Sequence, residues 1–254
     1  MRRTDAEALA LGLVHGPVEM VSVSSSGHVA ALPWLLRWEV AGWDGARRKE
    51  LEVALHTGSA VALLLLVRPA RVRPGLLAVA LLPPAVVGLT PERRIEERLG
   101  TPASLAAGLV GGGLALALAD RSPATRDDRD AQLRDALVLG FAQAAALIPG
   151  VSRNGATLAA ARGLGFSRAG ASRLSWEVGL PVMAGATALK GVRVRRAGAA
   201  HARPLALGAG AAFASTLVAV GWIGIERHRP LWRWALWRAL LAAAILAVRH
   251  NRSG

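Results

Sequence analysis

The chain has 254 residues, 53% of them apolar, with 28 Gly, 13 Pro, no Cys and no Tyr, and 31 Lys and Arg against 17 Asp and Glu, for a net charge of +14. The absence of cysteine excludes a disulfide framework, thiol chemistry and a thiolate metal site. The basic residues sit between apolar runs rather than in a patch with interleaved aromatics, which excludes a nucleic-acid binder and leaves a polytopic membrane protein.

In chain order, Met1 to Arg3 and the apolar stretch after them look like a signal peptide. His15 and Glu19 interrupt that stretch and no small-residue cleavage site follows, so it is expected to stay in the mature protein. Segments 5–20 and 26–37 are too short or too interrupted to cross a bilayer, and a Ser- and Gly-bearing break separates them. Three longer runs follow, 51–68, 74–90 and 103–120, near the roughly 17 to 25 residues a spanning helix needs. The series then recurs: short segments 133–148 and 155–166, then long runs 172–190, 204–225 and 231–249. Basic residues fill the gaps, as in Arg47, Arg48, Lys49, then Arg68, Arg71, Arg73, then Arg193, Arg195, Arg196, and suit loops beside anionic headgroups. Trp34, Trp38, Trp43 and again Trp232, Trp234, Trp237 lie near segment ends, as interfacial anchors do. The charge bias between the two sides is too small to orient the chain.

The second series copies the first. Leu11, Gly12, Val23, Ser24 and Gly27 recur 128 positions later as Leu139, Gly140, Val151, Ser152 and Gly155, five identities in seventeen residues; Glu52-Val53 recurs 125 positions later as Glu177-Val178. Two pairs in one order at nearly one offset point to a duplication. Irregular backbone at membrane depth is tolerated only where protein or a watered cavity surrounds it, so each short pair reads as a re-entrant hairpin. Three spans per half is an odd number, so the second half must lie upside down relative to the first. The predicted fold is an all-α polytopic membrane protein: one membrane domain over 1–254, made of two inverted-topology repeats (about 1–125 and 126–254), with six transmembrane helices and two re-entrant helical hairpins.

The breaks hold nearly all the polar residues found in apolar surroundings: Glu19, Ser22, Ser24, Ser25, Ser26 and His28 in EMVSVSSSGH, and Ser152, Arg153, Asn154 and Thr157 in PGVSRNGAT. An ionisable group at membrane depth costs about 2.5 to 3.5 kcal/mol on insertion scales, which marks it as functional by default. Together these types suit capture and cleavage of a phosphate ester or anhydride. Arg153 offers a planar fork for phosphate oxygens, and the Gly-bearing turn opening a helix adds N–H groups aimed at the same anion. Ser24, Ser25 or Ser26 can supply a nucleophile, and His28 or Glu19 a base or acid. Helix capping accounts for any one of the serines as well, a pairing with Glu19 for Arg153, and a buried hydrogen bond for His28.

EMVSVSSSGH and PGVSRNGAT, with LEVALHTGSA and ALLPPAVVGL between them and GLPVMAGATAL at 179–189, resemble the bacterial undecaprenyl-pyrophosphate phosphatases, the bacitracin-resistance family, over almost the whole chain. The resemblance implies the same inverted fold, a multi-pass place in the bacterial plasma membrane, and hydrolysis of a polyprenyl diphosphate to the monophosphate and inorganic phosphate, recycling the lipid carrier for cell-wall synthesis. It implies Glu19, Ser25, His28 and Arg153 as catalytic residues, with Ser25 as nucleophile or its helper and Arg153 on the phosphate. Ser24, Ser26, Ser152, Asn154, Thr157 and His15 would line the substrate. A divalent cation, Mg²⁺ or Ca²⁺, is implied, with Glu19 as its ligand. Two positions depart from the family pattern: His15 stands where Glu or Gln is usual, and Asn154 where Ser follows the arginine. The first removes a carboxylate from the cation's ligand set, since a hard cation prefers oxygen; the second is milder, because Asn can still donate to a phosphate oxygen. The expected partners are the polyprenyl diphosphate and membrane lipid, with a homodimer allowed. A lipid-phosphate flippase sharing the same inverted anion site is the alternative, against which the Ser25 and His28 pair beside Glu19 speaks, because transport requires no nucleophile.

Overall fold

The computed structural model describes residues 1–67, 73–88, 99–196 and 202–253, without the side chains of 189–196, 224 and 253. The helices are α1 (Arg3–Met20), α2 (Ser25–Leu35), α3 (Gly45–Leu66), α4 (Pro74–Gly88), α5 (Pro102–Ala119), α6 (Leu133–Ala145), α7 (Arg153–Gly163), α8 (Arg168–Arg196), α9 (Ala202–Ala219), α10 (Ile225–His228) and α11 (Trp232–Ser253). No strand occurs among the described residues. Each apolar run of the sequence is a helix, and the two breaks interrupt helices where the polar residues stand. The predicted ends at 68, 89 and 90, with Arg68 and Arg71, lie outside the described residues.

Several boundaries differ from the sequence reading: α8 covers Arg168–Arg196 rather than 172–190, and α9 ends at Ala219, with a 3₁₀ turn at Val220–Gly224, rather than running to 225. Helix α3 starts at Gly45 rather than at 51, because the Asp44 carboxylate accepts from the Arg47 N–H at 2.9 Å and caps a charged first turn. Helix α1 spans 18 residues from Arg3 rather than starting at 5, and α6 spans 13 and ends at Ala145 rather than at 148.

The described chain forms two compact units. The first comprises Met1–Met20, His28–Arg68 and Leu180–Ile223. In it α1 packs along α9, and α3 packs against both, around Ala8, Leu11, Leu51, Leu55 and Ala212. The α1–α9 approach is close because Gly12 has no side chain: a methyl there would collide with the Gly208 carbonyl. The second unit comprises Val21–Gly27, Pro69–Gly179 and Gly224–Gly254. In it α4 packs on α6, α5 on α11, and α7 on α5 and α6, around Leu116, Leu139, Leu158, Phe166, Leu174 and Leu231. Gly140 admits α4 as Gly12 admits α9: a methyl there would stand 2.9 Å from the Ala80 carbonyl oxygen and 2.8 Å from Pro83 Cδ.

Arginines tie the loop after α5 to its neighbours. Asp120 receives Arg168 at 2.7 and 2.8 Å and the Leu231 N–H at 3.0 Å, and Arg126 grips Asp135 at 2.6 and 3.1 Å. Such bidentate pairs fix geometry as well as charge.

Among the described residues, two stretches are both long enough and apolar enough to cross a membrane, Pro102–Ala119 and Ala202–His228, while Pro74–Gly88 is apolar but shorter. The other long helices carry charges along their length: Lys49, Glu50 and Glu52 in α3, Arg173 and Glu177 in α8, Arg233, Arg238 and Arg249 in α11. Several of these are turned inward. Arg238 is fully buried, and Glu177 is nearly so and takes Arg73 on both oxygens at 3.0 and 2.5 Å. Outward lie Leu65, Leu82, Val86, Leu114, Leu118, Phe141, Val218 and Leu240, all exposed.

Candidate active site

The two breaks have one backbone. Ser24 and Ser152 are two of the three non-glycine residues with positive φ among the described residues, at 72° and 65°. The hydroxyl of each accepts from the N–H three residues on, Gly27 and Gly155, at 3.2 Å in both cases. Helices α2 and α7 then run for 11 residues each. Both end in the left-handed turn common at helix C-termini, Arg37 at φ 55° and Gly165 at φ 85°. The closing bonds also correspond, Trp38 N–H to the Pro33 carbonyl at 2.9 Å and Phe166 N–H to the Ala161 carbonyl at 3.1 Å. Every one of these pairs is 128 positions apart.

Ser25 and Arg153 therefore occupy the same place, the first residue of a helix whose N-terminus is capped. Ser25 and Ser26 are half-buried, Ser24 and His28 buried, with Ser24 and Ser26 hydroxyls 3.5 Å apart. The Arg153 guanidinium lies 5.3 Å from the Trp176 ring and against Gly179, where any side chain would collide with it. A guanidinium over an aromatic face is held without losing its donors. Asn154 and Thr157 are buried and engaged internally: Ser175 Oγ donates to Asn154 Oδ1 at 2.6 Å and meets Thr157 Oγ1 at 2.5 Å, and Asn154 Nδ2 donates to Glu226 at 3.1 Å. Ser152 serves as the cap of α7.

Arg238 joins the two breaks. Its Nε donates to the Ser22 carbonyl at 2.7 Å and its Nη1 to the Val151 carbonyl at 3.3 Å. Glycines make room for it: a methyl on Gly112 would stand 2.8 Å from Nη1, and one on Gly155 would collide with Nη2. The sequence reading left Arg238 without a role. Its position inside an apolar run was the available signal, since an arginine in such a run is either buried with partners or functional.

In the first unit, Glu19 meets two histidines. His15 Nε2 is 4.0 Å and His56 Nε2 3.9 Å from Glu19 Oε2, and the two rings contact edge to face with centroids 4.5 Å apart. His15 is fully buried, and its Nδ1 lies 2.8 Å from Ser59 Oγ. The sequence reading gives His56 no role either, although the same signal was available: like Arg238 it is an ionisable residue inside an apolar run. As a test of the Mg²⁺ or Ca²⁺ expectation, the donor set is two nitrogens and a carboxylate, which does not fit a hard cation that prefers an all-oxygen shell.

These features define a helical protein organised around two matched helix breaks, one carrying hydroxyls and an imidazole and the other a guanidinium. Comparison with known proteins gives the family. The sequence model described as "Bacitracin resistance protein BacA" matches residues 8–244, and the chain belongs to that family. It is similar to the undecaprenyl-diphosphatase of Geobacter metallireducens, 35% identical across 96% of this chain and 98% of the relative. The undecaprenyl-diphosphatase of Geobacter sulfurreducens is 34% identical over the same shares, and that of Pelotomaculum thermopropionicum 35% identical over 72% of this chain and 74% of the relative.

Proposed function

We infer that the chain is an undecaprenyl-diphosphatase of the bacterial cell membrane, which hydrolyses undecaprenyl diphosphate to the monophosphate and inorganic phosphate. The observation that carries this reading is the tie made by Arg238, which links the break opening on Ser25 to the break opening on Arg153. Two helix N-termini joined in this way favour an anion through their N–H groups and dipoles, and relatives matching nearly the whole chain act on such a lipid diphosphate. In this reading Arg153 holds the transferring phosphoryl group and stabilises the charge that builds on it, the main source of rate in phosphoryl transfer. Ser25 attacks the phosphorus or positions the water that does, and His28 and Glu19 carry protons. A divalent cation held at Glu19 would neutralise diphosphate charge.

The architecture belongs to the same proposal: two inverted repeats, six spans and two re-entrant hairpins. The 128-residue register of caps, φ values and helix ends supports it, and so does helix pairing. If α1 corresponds to α6 and α4 to α9, the α1–α9 pair of one unit and the α6–α4 pair of the other are the same contact made twice with the halves exchanged, through Gly12 and its counterpart Gly140. The exposed leucines on α3, α4, α5 and α11 are the surface that lipid would cover.

The test is phosphate release from undecaprenyl diphosphate by the purified protein in detergent. If no phosphate is released while the lipid is carried across vesicle membranes containing the protein, a flippase replaces this reading.

A further inference from the structure

We propose that His15, Glu19 and His56 form a binding site for a zinc-class divalent cation, taking Zn²⁺ in preference to Mg²⁺ or Ca²⁺. The three donor atoms lie within 4.8 Å of one another. Ligands about 2.0 to 2.1 Å from a tetrahedral zinc stand about 3.3 Å apart, so the separations of 4.0 and 3.9 Å from Glu19 need to close by about 0.6 to 0.7 Å and the two imidazole donors, within 4.8 Å of each other, by up to about 1.5 Å, which rotation of the three side chains towards one another supplies. Position 15 is one helical turn before Glu19 on α1 and so shares its face, and α3 brings His56 to the pair.

Both imidazoles are turned for the task. His56 Nδ1 lies 2.9 Å from the Glu52 carbonyl oxygen. A carbonyl only accepts, so the proton sits on Nδ1 and the lone pair on Nε2 faces Glu19. His15 Nδ1 lies 2.8 Å from Ser59 Oγ, which itself accepts from Thr216 Oγ1 at 2.8 Å, and both hydroxyl residues are fully buried. A proton donated from His15 Nδ1 to Ser59 leaves the lone pair on Nε2. That Nε2 atom is buried and makes no hydrogen bond among the described residues. A buried polar atom without a partner costs about 1 to 3 kcal/mol, and in the tautomer with the proton on Nδ1 a cation removes that cost.

The ligand set selects the metal. Two imidazoles and one carboxylate, with a coordination position left open, is the pattern of catalytic zinc sites, whereas structural ones close with four protein ligands. Mg²⁺ and Ca²⁺ ask for six or more oxygens and are poorly served by nitrogen. Binding by these donors stands independently of the diphosphatase reading; only the cation's part in turnover rests on it.

The experiment uses the full-length protein purified in detergent and stripped with a chelator. Elemental analysis after gel filtration, with about a hundredfold excess of Mg²⁺ present, should find one Zn²⁺ retained per chain. Co²⁺ should give the visible absorption of a tetrahedral site, and Zn²⁺ should abolish it. His56→Gln, at a ring that is partly exposed and so least needed for folding, should weaken Zn²⁺ binding about 10- to 100-fold. His15→Glu should shift the preference towards Mg²⁺. If His56→Gln is not monodisperse, the Co²⁺ spectrum of the unaltered chain decides. The proposal is overturned if the unaltered chain retains no more Zn²⁺ than the His15→Gln, His56→Gln double variant, or if equimolar Mg²⁺ displaces the metal. Zinc retention without phosphate release would sustain the site and sink the diphosphatase reading; phosphate release with Mg²⁺ alone and no zinc retention would do the reverse.

Discussion

The break at 21–28 and the break at 149–157 are alike in backbone and unlike in chemistry. Each has a serine at positive φ capping the N–H three residues on, an 11-residue helix, and a left-handed end. At the first helical position one carries Ser25 and the other Arg153; at the fourth one carries His28 and the other Ala156. The two breaks thus share a backbone and differ in their side chains: hydroxyls and an imidazole on one, permanent positive charge on the other. Under the proposed diphosphatase reading neither break alone holds a complete set for phosphoryl transfer, which gives weight to Arg238 as the bond between them.

The largest effect should come from removing what only one copy has. Arg153→Ala is expected to lower turnover by about 10² to 10³, as loss of one transition-state donor typically does. Arg153→Lys should recover only part of this, because an ammonium lacks the bidentate fork. Gly179→Ala should imitate the loss with the protein still folded, since the new methyl meets only the movable end of Arg153. Phosphate-release assays beside gel-filtration profiles read both. Ser25→Ala and His28→Ala should stop release while sparing binding of the lipid diphosphate. Near-normal hydrolysis by Arg153→Ala would show that the two breaks do not divide the chemistry as proposed.

Next comes the tie. Arg238→Met removes the donors to two carbonyls, that of buried Ser22 and that of half-buried Val151, and the buried one alone costs about 1 to 3 kcal/mol when left unpaired. Thermal unfolding in detergent should report that loss, and Gly155→Ala, which drives the guanidinium from its place, should reproduce it. An Arg238→Met protein as stable and active as the parent would mean that the breaks are held together by other contacts.

How much of this was legible in the sequence differs by feature. The helices were, because runs such as 103–120 and 204–225 have the length and composition of a spanning segment, and because Gly12 and Gly140, or Ser24 and Ser152, stand at one offset. The common backbone of the breaks followed from that offset. The pairing of α1 with α9 did not, since a sequence carries no distances. His56 and Arg238 were visible as ionisable residues in apolar runs, yet their partners, Glu19 in one case and two backbone carbonyls in the other, arise only through tertiary contact. Asn154 and Thr157 read as phosphate contacts from their motif, while the fold engages their polar atoms with Ser175 and Glu226.

A smaller effect tests whether the caps are truly equivalent. Ser24→Ala and Ser152→Ala each delete a bond to a helix N–H and put alanine at positive φ, so each should cost about 0.5 to 2 kcal/mol, and by nearly the same amount. Thermal unfolding of the two variants side by side measures the difference. Unequal losses would show that the matched angles conceal different surroundings.

The smallest expected effect lies at the helix ends, where the copies differ in how well residue type fits conformation. Gly165 at φ 85° suits the left-handed turn, whereas Arg37 at φ 55° does not: a side chain there costs about 1 to 2 kcal/mol. Arg37 is exposed, so Arg37→Gly removes that strain without taking a side chain out of a core. Against the gain stands the larger conformational freedom of glycine in the unfolded chain, about 0.5 to 1 kcal/mol. The net prediction is a stabilisation of about 0.5 kcal/mol from Arg37→Gly. The reverse change, Gly165→Ala, should destabilise by about 1 kcal/mol, since the new methyl also comes to 3.1 Å from Thr125 Oγ1. Opposite signs at two positions 128 residues apart would show that both hold the same turn and that only one has the residue the turn favours. A stabilising Gly165→Ala would remove the end of α7 from the correspondence.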